Sequence, residues 1–149
     1  MEVEIISKSA EQTMEIGQKI ANLAAAGSTF CLTGDLGAGK TTLVRGIAKA
    51  LNIKSVVQSP TFNIMKIYFD DIKPLIHIDA YRLADIDTDI GLDEYIGYET
   101  GITVIEWPMY IQNLLPEDSN EINIVNLGDN ERKITIKSDN LTLIEGLKK

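Results

Sequence analysis

Eight consecutive residues constrain this chain strongly. Gly34-Asp35-Leu36-Gly37-Ala38-Gly39-Lys40-Thr41 matches the phosphate-binding pattern G-x-x-x-x-G-K-[ST] at every fixed position. The apolar segment Phe30-Cys31-Leu32-Thr33 before it reads as a buried strand. After it, Thr42 to Leu51 carries Leu43, Ile47, Ala50 and Leu51 at helical spacing. The order is therefore strand, loop, helix. Polyphosphate asks for a concave nest of backbone N–H groups, and Gly34, Gly37 and Gly39 let the chain curl around an anion where side chains would obstruct it. The helix that follows turns its positive dipole end toward the same point. Lys40 can reach the β- and γ-phosphates, and the Thr41 hydroxyl is placed to hold the magnesium ion that bridges them. The expected ligand is a magnesium nucleoside triphosphate, bound by Gly34, Asp35, Leu36, Gly37, Ala38, Gly39, Lys40, Thr41 and Thr42.

A chain of 149 residues with 44% hydrophobic content can fill one core, and one domain over residues 1–149 is expected. Acidic residues outnumber basic ones 22 to 14, for a net charge of -8, which opposes direct binding to nucleic acid or to an anionic membrane. Any role near RNA is expected to run through a protein partner. The single cysteine, Cys31, precludes an internal disulfide and suits a reduced compartment. The start Met1-Glu2-Val3-Glu4 is acidic where a secretory signal would be basic, and no apolar run approaches a membrane span. A cytoplasmic location is expected.

Ser9 and Gln12 have capping-box spacing ahead of Ile16, Ile20 and Leu23, so a helix is predicted from there to Gly27, packed beside the loop-bearing strand. Asn63 to Phe69 and Leu75 to Asp79 are β-rich runs around Asp70-Asp71-Ile72-Lys73-Pro74, and Glu121 to Val125 and Lys133 to Lys137 alternate around Gly128-Asp129-Asn130. Two antiparallel hairpins follow. A surface loop and a short helix are expected from Ala84 to about Gly97, and a closing helix from Leu141 to Leu147. Ile102-Thr103-Val104-Ile105 suits a strand buried on both faces that delivers Glu106-Trp107-Pro108 at its carboxyl end, where open α/β sheets bind ligands. The predicted fold class is α/β: three layers of the P-loop NTPase kind, a mixed sheet with a parallel core and antiparallel hairpins, and helices on both faces.

Hydrolysis needs a further acid to order the metal shell and a group to position the attacking water. Asp79 ends the strand Leu75-Ile76-His77-Ile78, as Glu106 ends its own; either can serve the metal and the other the water. Thr61, after Pro60, sits where switch elements sense a γ-phosphate. His77 is the only histidine, too few for a zinc site, and is expected to pack or to hydrogen-bond a neighbour. Trp107 is either a plug beneath the site or an anchor for a partner. With Arg45, Arg82 and Arg132 the only arginines, a kinase lid is poorly supplied, and slow turnover awaiting a partner is expected.

Together with Ser59-Pro60-Thr61-Phe62, His77-Ile78-Asp79-Ala80-Tyr81-Arg82-Leu83, Gly91-Leu92-Asp93-Glu94-Tyr95 and Glu106-Trp107-Pro108, the loop resembles the TsaE family over residues 5–137. The resemblance implies an ATPase of bacterial tRNA threonylcarbamoyladenosine modification at adenosine 37, binding ATP and Mg2+ and working with the TsaD and TsaB transferase subunits. It also implies that tRNA is reached only through them, with no membrane contact. By the same resemblance Thr41 and Glu106 are metal-associated, Asp79 is the Walker-B-like aspartate, Thr61 the switch-like threonine, and Arg132 lies near the nucleotide. Lys40, Asp79, Glu106 and Thr61 form the expected catalytic set, and Thr41, Glu106 and Asp79 the expected metal set. A small-molecule P-loop kinase is the alternative. A guanine-nucleotide switch is a third reading, weakened because Ile136-Lys137-Ser138-Asp139 lacks the asparagine of Asn-Lys-x-Asp.

Overall fold

The computed structural model describes residues 1–35, 38–54, 65–69, 73–81 and 95–148. Its elements run β1 (Glu2–Ser7), α1 (Ala10–Leu23), β2 (Thr29–Gly34), α2 (Lys40–Ala50), β3 (Met65–Tyr68), β4 (Leu75–Asp79), β5 (Ile102–Glu106), a 3-10 helix (Pro108–Leu114), β6 (Asn120–Gly128), β7 (Glu131–Lys137) and α3 (Leu141–Leu147). The strands form one sheet in the order β1-β7-β6-β2-β5-β4-β3. The inner strands β6, β2, β5 and β4 are mutually parallel, while β7, β1 and β3 pair antiparallel at the two sides.

The residue types explain this order. Every residue of β4 and β5 is buried, as runs of Ile, Val and Leu in a parallel sheet covered on both faces should be. In β6 and β7, Ile122, Ile124, Ile134 and Ile136 are buried between more exposed residues, the alternation of strands with one covered face. Those isoleucines, with Val3, Phe30 and Leu32, pack against Ile20 of α1, Leu43 and Ile47 of α2, and Leu143 and Ile144 of α3. On the opposite face Ile76, Ile78 and Ile105 meet Ile111 of the 3-10 helix. Three layers result, with the α-helices on one side of the sheet and the 3-10 helix on the other, as the fold class anticipated.

Helix α1 starts as its capping spacing predicts: the Ser9 hydroxyl accepts from the Gln12 amide at 3.1 Å, and the Gln12 side chain accepts from the Lys8 amide at 2.7 Å. It packs mainly on α2, while Ile20 also joins the core that Phe30 and Leu32 of β2 fill. Gly17 and Gly46 allow this, because a Cβ on Gly46 would run into the Met14 carbonyl and one on Gly17 into the Leu43 carbonyl. Both hairpins are present, but β1 was not anticipated: it pairs with β7 from Glu2↔Lys137 to Ser7↔Arg132. Most of the loop and helix expected from Ala84 to about Gly97 lies outside the described residues; residues 95–97, which are described, form a turn. Strands β2, β4 and β5 end together at Gly34, Asp79 and Glu106, so the carboxyl edge of the sheet gathers the candidate site.

Candidate nucleotide-binding site

Helix α2 begins at Lys40, with Gly39 at its N-cap and no side chain capping it. Its first amides are therefore left pointing out of the helix, the arrangement that receives an anion. Gly39 holds φ 106, a conformation that side chains resist. Gly34 is tight for another reason: a Cβ there would stand 2.7 Å from the Ile124 carbonyl oxygen. Inside the loop the Ala38 amide donates to the Asp35 carbonyl at 3.0 Å. A cleft of about 200 Å3 opens beside it, lined by Gly34, Asp35, Lys40, Trp107, Met109 and Val125 among others.

Lys40 is buried, and its Nζ lies 3.6 Å from Oε1 of Glu106 and 4.8 Å from the centre of the Trp107 ring. Oε2 of Glu106 lies 2.6 Å from Nε2 of His77, a side chain with no exposed surface. Register explains the second contact. In the parallel pair β4 and β5, Asp79 stands opposite Glu106, so His77, two residues back on the same face, reaches it diagonally. Burial works to raise the Glu106 pKa, but the His77 hydrogen bond, then the charges of His77 and Lys40, outweigh it and hold the carboxyl below its usual 4.5. From this geometry Nε2 carries the hydrogen and donates to the carboxylate. Nδ1 is buried without a partner among the described residues.

Asp79 is also buried; its Oδ1 accepts from the Tyr81 amide at 3.0 Å. The Ala80 amide donates to the Glu106 carbonyl at 3.0 Å, tying the two strand ends together. Trp107 takes a left-handed backbone, φ 58, which swings the chain out of β5 into the 3-10 helix. Its ring meets Lys40 on one side and Tyr81, 5.2 Å between centroids, on another. Arg132 enters from β7: a Cβ on Gly39 would stand 3.6 Å from its Nε, and its Nη1 donates to Asn126 Oδ1 at 3.0 Å and to the Glu131 carbonyl at 2.9 Å.

The structure thus brings Gly34, Asp35, Ala38, Gly39, Lys40, Glu106 and Arg132 together, with Asp79 beside Glu106 and with Thr41 and Thr42 in the first turn of α2. Leu36, Gly37 and Thr61 lie outside the described residues. Sequence reasoning left His77 between core packing and a hydrogen bond to an unnamed neighbour, and it passed over Asn126, which steadies Arg132 and also accepts from the Gly128 amide at 2.8 Å. Only its place in the hairpin turn hinted at Asn126. The groups present fit a polyphosphate: a buried ammonium, an uncapped helix start and a loop too close for side chains. They also fit magnesium held through one or two carboxylates, a hydroxyl and the phosphates themselves. No cluster of three His, Cys, Asp or Glu forms a complete cage among the described residues. No helix among these residues is long and apolar enough to cross a membrane.

Comparisons with known proteins give the family and the fold. The family model described as "Threonylcarbamoyl adenosine biosynthesis protein TsaE" matches residues 7–134. A tRNA threonylcarbamoyladenosine biosynthesis protein TsaE of Bacillus subtilis is 45% identical over 125 residues, covering 84% of this chain and 78% of the relative. Its namesake in Treponema pallidum is 39% identical over 133 residues, covering 88% of this chain and 97% of the relative. The crystal structure of Bacillus subtilis YdiB superposes with a TM-score of 0.82 and 34% identity, covering 99% of this chain and 95% of that one.

Proposed function

The chain belongs to the TsaE family and acts in tRNA threonylcarbamoyladenosine biosynthesis, and from that premise we propose that it does so as a magnesium-dependent ATPase. The observation that carries this reading is one contact: the buried ammonium of Lys40 lies 3.6 Å from Glu106, at the carboxyl edge of the sheet and the uncapped start of α2. Lys40 supplies the positive charge that the β- and γ-phosphates need, and Arg132 adds a second cation at the loop. Magnesium, when bound, would neutralise phosphate charge, and Thr41, Glu106 and Asp79 would hold it. Of the two acids, Glu106 is the one in reach of Lys40, and Asp79 is restrained by the Tyr81 amide. Thr61 is assigned to sensing the γ-phosphate on sequence grounds alone.

The bound nucleotide governs docking on a threonylcarbamoyl-transferase complex of TsaD and TsaB type in the cytoplasm, and tRNA is met only through that complex. Few arginines surround the site, so hydrolysis is slow until the partner completes it. Phosphate release measured with the transferase subunits present tests the reading. Lys40→Ala and Glu106→Ala should each lower the rate at least ~100-fold, the cost of removing a charge-stabilising group from such a site. Full activity in either variant would contradict the assignment, and preference for GTP over ATP in a binding competition would contradict the nucleotide.

A further inference from the structure

Among the described residues the Glu106 carboxylate has two partners, and they differ in kind. Lys40 lies 3.6 Å from Oε1, beyond a good hydrogen bond, on a long side chain that starts the helix facing the phosphate cradle. His77 lies 2.6 Å from Oε2, is fully buried, and sits in the middle of a strand whose every residue is buried. One partner can leave without disturbing the core; the other is fixed in it. His77 is also an expensive choice for mere packing. Its neighbours Ile76 and Ile78 are aliphatic, and its Nδ1 is left buried without a partner among the described residues, which forfeits the hydration of that atom. An aliphatic residue would fill the same space without that loss. What His77 adds is a donor on Oε2.

We propose that His77 is a positioning residue, which grips Oε2 of Glu106 so that Oε1 alone is exchanged from Lys40 to the magnesium ion when nucleotide arrives. This rests on the ATPase reading above. The carboxylate then stays at its post when the lysine turns to the phosphates, with Oε1 the oxygen left to a metal. Such outer contacts commonly change metal affinity about 10–100-fold when removed.

Three substitutions separate this role from packing. His77→Gln keeps an N–H donor near the place of Nε2; His77→Leu fills the space without a donor; His77→Asn keeps polarity but draws the donor back from Glu106. The readout is Mn2+ bound by the full chain with a non-hydrolysable ATP analogue, titrated by electron paramagnetic resonance, with metal-free analogue binding and thermal melting measured alongside. Leu and Asn should weaken Mn2+ binding about 10–100-fold while leaving metal-free analogue binding unchanged, and Gln should restore affinity close to wild type. If Leu does not fold, the contrast of Asn with Gln carries the test. Leu or Asn binding Mn2+ as wild type does, or Gln failing as they do, would overturn the positioning role alone. A wild-type chain that takes up neither analogue nor Mn2+ would overturn the ATPase reading, and this one with it.

Discussion

Glu106 shows how one residue's chemistry is set by its neighbours. Removed from water, a carboxylate would be pushed toward its neutral form, yet His77 and Lys40 hold it ionised and its pKa falls below 4.5. A group whose folded pKa lies below its unfolded value binds fewer protons when folded, so stability falls as the pH drops through the interval between them. The contribution is present above 4.5 and is lost as pH falls through the lower, folded value. Nucleotide-free protein should therefore lose thermal stability on acidification below about pH 4.5. Glu106→Gln should flatten that part of the curve, and parallel curves for the two proteins would contradict the account. Cys31 behaves oppositely: burial, then the charge of Glu121, push its thiol up to about 11, so it stays protonated and unreactive at neutral pH. The glycines, Lys40 and both acids were legible in the sequence because a local motif or a strand end marks each. The His77–Glu106 bond was not, because it depends on which strands are neighbours and in what register.

At the scale of elements, α1 and α2 meet so closely that glycine is required on both. An alanine in a helix interior ordinarily favours the helix over glycine by up to about 1 kcal/mol. At Gly46 the sign should reverse, since a Cβ would collide with backbone of α1 and not with a side chain that can rotate away. Gly46→Ala should cost about 2–3 kcal/mol in urea denaturation, and a neutral or stabilising result would contradict the close packing. Helix α3 has the predicted bounds and α1 the predicted start, because caps and period are local signals. Strand β1 shows the limit. Glu2-Val3-Glu4-Ile5-Ile6-Ser7 half alternates, but the partner that makes it a strand, β7, lies some 130 residues away. The close approach of α1 to α2 was equally hidden, since Gly17 and Gly46 signify nothing until the helices are set side by side.

At the scale of the molecule, the sheet's carboxyl edge collects residues from five separate elements, and the net charge of -8 surrounds an interior site that holds cations of its own. An acidic body with a buried ammonium is suited to a nucleotide-controlled partner of a protein complex more than to direct contact with RNA. Retention on immobilised TsaD and TsaB type subunits should rise when a non-hydrolysable ATP analogue is added, and retention indifferent to nucleotide would remove the switch from the account. The parallel core and the hairpins were foreseen because β-branched runs and turn residues mark them locally, and the candidate residues gather at the sheet edge where strand ends and the phosphate loop put them. The most direct measurement of the central claim is a crystal structure with magnesium and that analogue. The account predicts phosphates in the cradle from Gly34 to Thr42, Lys40 drawn from Glu106 onto them, and Glu106 still held by His77. Nucleotide bound elsewhere, or Lys40 still resting on Glu106 beside it, would contradict the claim.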